Sequence, residues 1–220
     1  MSATPEDWAR NLSRVRERIA AACDRVGRDP AEVQLLPITK SLPRTSLSLL
    51  PPMAMTEIGE NRVLEGLSRR RETNATFRWH MVGHVQTNKV KKLLDWADVL
   101  HSLDREALVP VLEKELSRRD RILPCYLQVN VSGESSKGGI PPGACGEAIT
   151  RIREEAPHVD LFGLMTMAPA GEDARGHFRR LRELALAFGM KGLSMGMSQD
   201  FETAVEEGAT CVRVGGSIFR

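Results

Sequence analysis

The amino-acid sequence predicts an α/β protein, a single parallel (β/α)8 barrel of the TIM type with an extra N-terminal helix. Eight short apolar runs alternate with amphipathic helical segments, which is the pattern of a parallel sheet. Each helical segment is long enough for the right-handed crossover that parallel strands require. Eight such units fit 220 residues better as a closed barrel than as an open doubly wound sheet. We therefore expect 1–220 to form a single domain.

The first predicted element is a helix that precedes the first strand. Thr4 supplies an N-cap and Pro5 stands at the first helical position, followed by two acidic residues. Apolar residues then recur at three-to-four spacing; they are Trp8, Leu12, Val15, Ile19, Cys23 and Val26. The pattern ends near Gly27, so we expect the helix to end there.

The eight predicted strands follow along the chain. They cover 34–39, 53–58, 78–83, 98–103, 124–131, 159–166, 188–194 and 209–214. The helical segments between them cover 60–72, 87–95, 104–119, 143–156, 174–186 and 199–207. The second unit has the weakest pattern, because Pro51 and Pro52 interrupt the helical stretch before it.

Capping residues support two of the helices. Asp104 and Ser198 each precede a helical pattern, and Gly208 follows the second of these helices. The Gly- and Pro-rich stretches 138–143 and 168–171 are typical of loops after the fifth and sixth strands. No stretch has the composition of a linker between domains.

Charge and cysteine content exclude several classes of protein. The chain has 31 basic and 29 acidic residues, so it has no strong field to attract nucleic acid or an anionic membrane. The four cysteines are far apart and lack zinc or disulfide spacing. Since no apolar signal core or membrane-length stretch is present either, we expect a cytoplasmic protein.

The chemistry of a barrel lies at the carboxyl ends of its strands, and Lys40 follows the first strand there. At the rim of a dry barrel, desolvation favours the neutral amine, which is the nucleophile that Schiff-base formation with an aldehyde requires. Position alone does not decide the role of Lys40, since a lysine at a strand end is more often simply solvated.

The last two strands supply a candidate phosphate site. The segment 192–198 carries serine hydroxyls and exposed amides into a helix, and Gly215 and Gly216 allow close approach of the backbone. Glycine-rich strand ends can also be mere turns. Because closure of the barrel makes the eighth strand a neighbour of the first, Lys40 and Arg213 are expected to face one site.

Three histidines raise the question of a metal site. His80 and His84 are four residues apart, which on a strand separates them by roughly 13 Å, too far to share one ion. No metal is predicted there or at His101.

Eight segments of the chain, in order, resemble those of one known family. They are LLPITKSLP, EIGENRVLE, WHMVGHVQTNKVKKLL, VLHSLDR, YLQVNVSGESSKGGI, LFGLMTMAP, LSMGMSQDFETAVEEGAT and VRVGGSIF. The sequence resembles the pyridoxal-phosphate-binding homeostasis proteins, whose barrel is similar to the N-terminal domain of alanine racemase. The resemblance covers nearly the whole chain.

This resemblance implies a set of cofactor-binding residues. Lys40 is implied to carry pyridoxal 5′-phosphate (PLP), and Arg213 to lie beside the pyridine nitrogen. The residues implied to surround the phosphate are Ser194, Ser198, Gly215 and Gly216, although the family usually has threonine or serine where this chain has Gly216. Asn61 and Asn130 are implied to line the cleft, but each could equally form a cap or a loop hydrogen bond.

The resemblance also implies a function. Because an arginine cannot usefully protonate the ring nitrogen, the ring is a weaker electron sink than one paired with a carboxylate. Tyr126 is the single tyrosine, and strand alternation does not fix its direction. We therefore predict no catalytic residue and expect a non-catalytic protein that holds PLP as a Schiff base for storage, buffering or delivery.

Alternatives remain open at this point. One is a PLP-dependent amino-acid racemase or lyase of low activity, and another is a barrel that binds some other phosphorylated metabolite. The expected partners are the small-molecule cofactor and PLP-dependent apo-enzymes, with no nucleic acid and no membrane, and the chain is expected to be a monomer or a weak dimer.

Overall fold

The computed structural model describes residues 3–134 and 137–220, and its eight strands form one parallel sheet. The strands are β1 (Gln34–Pro37), β2 (Glu57–Glu60), β3 (Arg78–Met81), β4 (Val99–Leu103), β5 (Leu123–Gln128), β6 (Val159–Met165), β7 (Gly192–Ser194) and β8 (Cys211–Val214). Their order is β1-β8-β7-β6-β5-β4-β3-β2, and a parallel bridge between Ile38 and Gly59 joins β1 to β2. The sheet thus closes on itself, which confirms the predicted barrel.

Helices connect the strands and cover the outside of the barrel. They are α1 (Pro5–Asp24), α2 (Val63–Glu72), α3 (Val90–Leu94), α4 (Val109–Ser117), α5 (Cys145–Glu155), α6 (Arg175–Ala187), α7 (Phe201–Glu206) and α8 (Gly216–Phe219). Short 3₁₀ turns cover Pro30–Glu32, Arg44–Leu49, Pro51–Met53, Thr87–Lys89, Glu106–Leu108 and Pro142–Ala144. Within the described ranges, every helix is too short or too polar to cross a bilayer.

The N-terminal helix α1 begins as predicted. The Thr4 hydroxyl accepts a hydrogen bond from the Asp7 backbone N–H, and the Asp7 carboxylate accepts one from the Thr4 N–H, which together form a capping box. Trp8 packs edge-on against Phe219, with ring centroids 5.7 Å apart. The Asn11 side chain donates to the Ile218 carbonyl oxygen at 3.1 Å. Helix α1 therefore holds α8 against the end of the barrel.

The second strand lies farther along the chain than predicted. The prediction of 53–58 is wrong, since β2 covers Glu57–Glu60 and Met53 belongs to a 3₁₀ turn. The proline pair favours the turn, and Ala54 then adopts a left-handed conformation at φ 57°, which delays the strand. As a result, Asn61 is the first residue after β2.

Three other boundary signals led to wrong predictions. Helix α4 begins only at Val109, and the Asp104 side chain does not cap it. The residue at the N-cap of α7 is Asp200 rather than Ser198, and its side chain makes no cap hydrogen bond. Strand β7 is shorter than 188–194, because α6 extends to Ala187 and Gly189 then turns the chain at φ 64°.

Candidate cofactor site

Lys40 lies at the carboxyl end of β1, in a loop that buried hydrogen bonds hold in place on both sides. The Thr39 hydroxyl donates to the Glu60 carboxylate at 2.5 Å, and the Thr39 N–H donates to the Gly59 carbonyl oxygen at 3.0 Å. On the other side, Arg69 donates to the carbonyl oxygen of Leu42 at 2.7 Å. Lys40 itself is exposed, so the expectation of an amine desolvated within a dry rim is wrong.

The anchor beneath this loop is a buried ion pair. Arg69 Nε lies 3.5 Å from Glu60 Oε1, and both side chains are buried. Burial raises the pKa of Glu60, while the Thr39 hydrogen bond and the Arg69 charge oppose the rise. Sequence reasoning missed this pair, since Glu60 was placed after the strand rather than within it.

The seam between β8 and β1 brings the last strand against the Lys40 loop. The Ile38 N–H donates to the Val214 carbonyl oxygen at 2.9 Å. A Cβ on Gly215 would stand 2.9 Å from the Ile38 carbonyl oxygen, closer than such contacts occur. Glycine is therefore required at 215 for the chain to pass this close to the residues that lead to Lys40.

The loops after β7 and β8 contact each other directly. The Ser217 N–H donates to the Ser198 hydroxyl at 3.3 Å, and the Ser217 hydroxyl donates to the Ser198 carbonyl oxygen at 3.4 Å. Within the part of the chain that the structure describes, the backbone N–H groups of Ser198, Gly215 and Gly216 have no acceptor. The predicted convergence of these two loops is thus present, and it leaves donors available to an anion.

The short helices that follow these loops contribute little to that site. Helix α7 has 6 residues and α8 has 4. Individual backbone amides, rather than the dipoles of these short helices, are therefore the groups that could bind an anion here.

Arg213 lies inside the barrel, on β8. Its guanidinium donates to the Ser194 hydroxyl at 2.6 Å and to the Thr166 carbonyl oxygen at 2.8 Å. Within residues 3–134 and 137–220, no carboxylate forms an ion pair with it, although it is buried. Burial lowers the pKa of the Arg213 guanidinium from its ordinary value.

Ser194 has a different environment from the other predicted phosphate residues. It is buried, and its hydroxyl contacts Arg213 and, at 2.8 Å, Nδ1 of His101. The structure thus associates Ser194 with Arg213, whereas Ser198, Gly215 and Gly216 share the neighbouring pair of loops.

Asn130 is occupied by its own loop. Its side-chain amide donates to the carbonyl oxygens of Glu134 and Lys137, and its oxygen accepts hydrogen bonds from Ser132 and Gly133. These bonds favour the alternative of a loop-forming residue, and contact with a cofactor stays a prediction. The half-buried Asn61 makes no side-chain hydrogen bond within the described ranges, and Gly83 packs against its backbone.

Three polar residues at the mouth of the barrel, His84, Asp104 and Arg105, form hydrogen bonds with one another. His84 Nδ1 lies 2.5 Å from the Asp104 carboxylate, and Arg105 donates to the same carboxylate at 2.6 Å. His80 lies away from this group, because it is buried within β3 and contacts His101. Among the described residues, no group of His, Cys, Asp or Glu side chains could hold a metal ion.

The structure settles the direction of Tyr126. Its ring lies within the barrel, 4.4 Å from the His101 ring and 4.3 Å from the Phe162 ring between centroids. Burial raises the pKa of its hydroxyl. Tyr126 is therefore part of the packed interior and is poorly suited to act as a base.

Comparison with known proteins identifies the family. No protein-family model matches the chain. The pyridoxal phosphate homeostasis protein of Aquifex aeolicus is 39% identical over 218 residues, covering 94% of this chain and 95% of that protein. The protein of the same name from Pseudomonas aeruginosa is 38% identical over 220 residues, covering 96% of this chain and 94% of its own length. This chain belongs to the pyridoxal phosphate homeostasis protein family.

Solved structures agree with this assignment. PipY of Synechococcus elongatus, with PLP bound, superposes with a TM-score of 0.82 at 28% identity, covering 97% of this chain and 100% of PipY. Alanine racemase of Clostridium difficile superposes with a TM-score of 0.72 at 14% identity, covering 97% of this chain and 56% of the racemase. The likeness to alanine racemase shows that this chain has the alanine racemase-like barrel fold.

Proposed function

We propose that this protein binds pyridoxal 5′-phosphate as a Schiff base on Lys40 and serves cofactor homeostasis by storage, buffering or delivery, without strong catalysis of its own. The observation that carries the proposal is the β8–β1 seam. It sets the Lys40 loop beside amides that have no acceptor among the described residues, next to a buried arginine without a carboxylate partner. The family's name and the PLP-bound PipY structure support the same ligand.

The residues of the seam fit the parts of this cofactor. The N–H groups of Ser198, Gly215 and Gly216 are donors suited to the phosphate. Arg213 is a cation suited to the unprotonated ring nitrogen, since it donates hydrogen bonds and accepts none. When bound, the cofactor supplies an electrophilic aldehyde carbon. The Lys40 amine adds to this carbon and water leaves, so that the amine and the aldehyde carbon share the new double bond.

Placement rather than burial accounts for the reactivity we assign to Lys40. The amine is exposed, but the loop that carries it is held by Thr39 on one side and by Leu42 on the other. An anchored phosphate holds the aldehyde near this amine, which raises the effective concentration of the two reacting groups.

The absence of strong catalysis is proposed from the surroundings of Lys40. Tyr126 is packed in the interior, and Arg213 supports the ring as a weak electron sink. Two-base racemisation needs a second acid/base group, and no tyrosine lies at the mouth to supply it.

The test compares absorption spectra after incubation with PLP and removal of free cofactor. The wild-type protein is expected to turn yellow and to pass PLP to an added PLP-dependent apo-enzyme. Lys40→Ala is expected to lose the absorption band, whereas Lys191→Ala, an exposed lysine at the opposite end of the barrel, is expected to keep it. A band that survives Lys40→Ala, or turnover of an amino acid in a chiral assay that depends on Lys40, would contradict the proposal.

A further inference from the structure

A chain of hydrogen bonds runs through the barrel interior from its amino-terminal end to Arg213. Glu57 Oε2 lies 2.7 Å from His80 Nε2, and His80 Nδ1 lies 2.8 Å from His101 Nε2. His101 Nδ1 lies 2.8 Å from the Ser194 hydroxyl, to which Arg213 donates. These five residues, which we call the barrel relay, come from β2, β3, β4, β7 and β8.

The Glu57 carboxylate sets the direction of every bond between the histidines and Ser194, given that both buried histidines are neutral. Arg213 can only donate, and the Glu57 carboxylate can only accept. Because the carboxylate accepts, neutral His80 donates from Nε2 and accepts at Nδ1 from His101 Nε2. The unprotonated Nδ1 of neutral His101 then accepts from the Ser194 hydroxyl, whose oxygen also accepts from Arg213. Each neutral imidazole thus carries its proton on Nε2.

The environment of the histidines agrees with this assignment. Burial lowers the pKa of His80, although its hydrogen bond to the Glu57 carboxylate opposes this, and burial lowers the pKa of His101 well below its ordinary value. The Tyr126 ring packs on His101, with ring centroids 4.4 Å apart. Neutral imidazoles place no counter-charge beside Arg213.

The far end of the barrel relay is open to solvent. Glu57 is about a third exposed, with a side-chain exposure of 31%, and the Gln34 amide donates to it at 2.6 Å. Both residues begin their strands, and both line a cavity of about 130 Å³ that also contacts Arg16 of α1. Glu57 therefore lies at the end of the barrel opposite to Lys40.

We propose that the barrel relay orients Arg213 at the ring end of the cofactor site, so that Glu57 acts as a positioning residue from the opposite end of the barrel. The proposal rests on the proposed function in one respect, the contact between Arg213 and the cofactor ring. Removal of the Glu57 acceptor frees the histidines to reverse their hydrogen bonds. Ser194 would then accept from both His101 and Arg213, and these two donors would compete for the hydroxyl oxygen that orients the guanidinium.

The first arm of the test needs no cofactor. In protein labelled with ¹⁵N-histidine, the ring signals of His80 and His101 are expected to show protonated Nε2 and unprotonated Nδ1. Glu57→Leu is expected to shift the His101 signals, whereas Glu57→Gln retains an acceptor and is expected to restore them. Glu113→Leu is the matched control, because Glu113 pairs with His158 at 2.7 Å outside the barrel.

The second arm uses the PLP-loaded protein. Glu57→Leu is expected to change the absorption band and to release PLP about tenfold faster, the effect of losing one charge-assisted hydrogen bond. Glu57→Gln and Glu113→Leu are expected to stay within about twofold of wild type.

The outcomes separate the two proposals. A protonated His101 Nδ1 in the wild-type protein overturns the barrel relay even if Glu57→Leu fails to fold. The proposal is also overturned if Glu57→Leu changes neither PLP retention nor the His101 signals. A protein with the expected tautomers that takes up no PLP overturns the proposed function and leaves the barrel relay in place.

Discussion

The two halves of the barrel mouth differ in whether their polar groups form hydrogen bonds with one another. On the half formed by β2–β5, His84, Asp104 and Arg105 bond to one another, and Asn130 bonds to its own loop. On the half formed by β7, β8 and β1, the loops meet, yet backbone N–H groups are left without acceptors among the described residues. Polar groups that already form hydrogen bonds with one another have little capacity left for a ligand, so the second half is where we propose that an anion binds.

The largest effect is expected at the seam itself. Gly215→Ala places a Cβ about 2.9 Å from the Ile38 carbonyl oxygen, so β8 and the Lys40 loop must separate. We expect at least tenfold weaker retention of PLP, and a free energy of unfolding lower by about 1–3 kcal/mol. Dialysis of the loaded protein and denaturant unfolding measure the two effects.

The control for this variant is Gly176→Ala, where nothing stands within 4 Å of the new Cβ. That change is expected to leave retention unaltered and to stabilise α6 slightly. Equal behaviour of the two alanine variants would mean that the seam does not shape the site.

The next largest effect is expected at Arg213. Arg213→Met leaves the Ser194 hydroxyl and the Thr166 carbonyl oxygen without their donor in the interior, which costs about 1–3 kcal/mol of stability. The absorption band of bound PLP is expected to move, while attachment at Lys40 persists. An unchanged spectrum would show that Arg213 does not face the ring.

A pH dependence is expected from Glu60. Its pKa is raised in the folded protein, so between the ordinary value of 4.5 and the folded value the native state holds a proton that the unfolded chain releases. Its contribution to stability is therefore fully present below about pH 4.5 and is lost as the pH rises through the folded pKa. Glu60→Gln should flatten this fall, as thermal melts from pH 5 to pH 8 can measure.

The partly exposed carboxylate of Glu65, which lies on α2 with Arg69, provides the comparison, because Glu65→Gln removes a charge near Arg69 but leaves the buried Glu60 carboxyl in place. If the wild-type protein instead became more stable as the pH rose through this range, and Glu60→Gln removed that gain, the pKa of Glu60 would be lowered rather than raised in the folded protein.

A gain is expected from Gly216→Ser. A Cβ at 216 would meet only Ser198 Oγ at 3.7 Å and Arg220 Cδ at 3.9 Å, so the position has room for a side chain. The added hydroxyl is a further donor beside the amides of Ser198 and Gly215 and should tighten PLP retention about fivefold. Gly216→Ala is the control, because it removes the glycine without adding a hydroxyl. Equal PLP retention by the serine and alanine variants would show that the hydroxyl does not contribute.

The smallest effect is expected on the other half of the mouth. His84→Ala removes a side chain whose hydrogen bond goes to Asp104, which Arg105 still satisfies. PLP retention is expected to stay within about twofold of wild type. A loss as large as that of Gly215→Ala would end the distinction between the two halves.

The sequence predicted the barrel because the alternation of apolar runs and helical faces is a local signal, repeated eight times. The same locality explains the errors. Strand β2 carries Glu60 within it, although this polar residue was predicted to follow the strand, and Asp104 resembled a cap although its partner is His84.

The candidate site was predicted in part. Lys40, Arg213 and the two loops follow from strand ends and barrel closure, together with the family resemblance. The barrel relay could not be predicted from the sequence, because its members lie on five different strands. They contact one another only where the inward faces of these strands meet inside the folded barrel. The alternation of a single strand shows which residues share a face but not which neighbours across the barrel they contact.

The most direct test of the account is to reduce the PLP-loaded protein with borohydride and to map the modified peptide by mass spectrometry. We predict a single phosphopyridoxyl group on Lys40, which Gly215→Ala diminishes and Gly176→Ala does not. A modified lysine elsewhere, or none, would contradict the claim that the β8–β1 seam holds the cofactor beside Lys40.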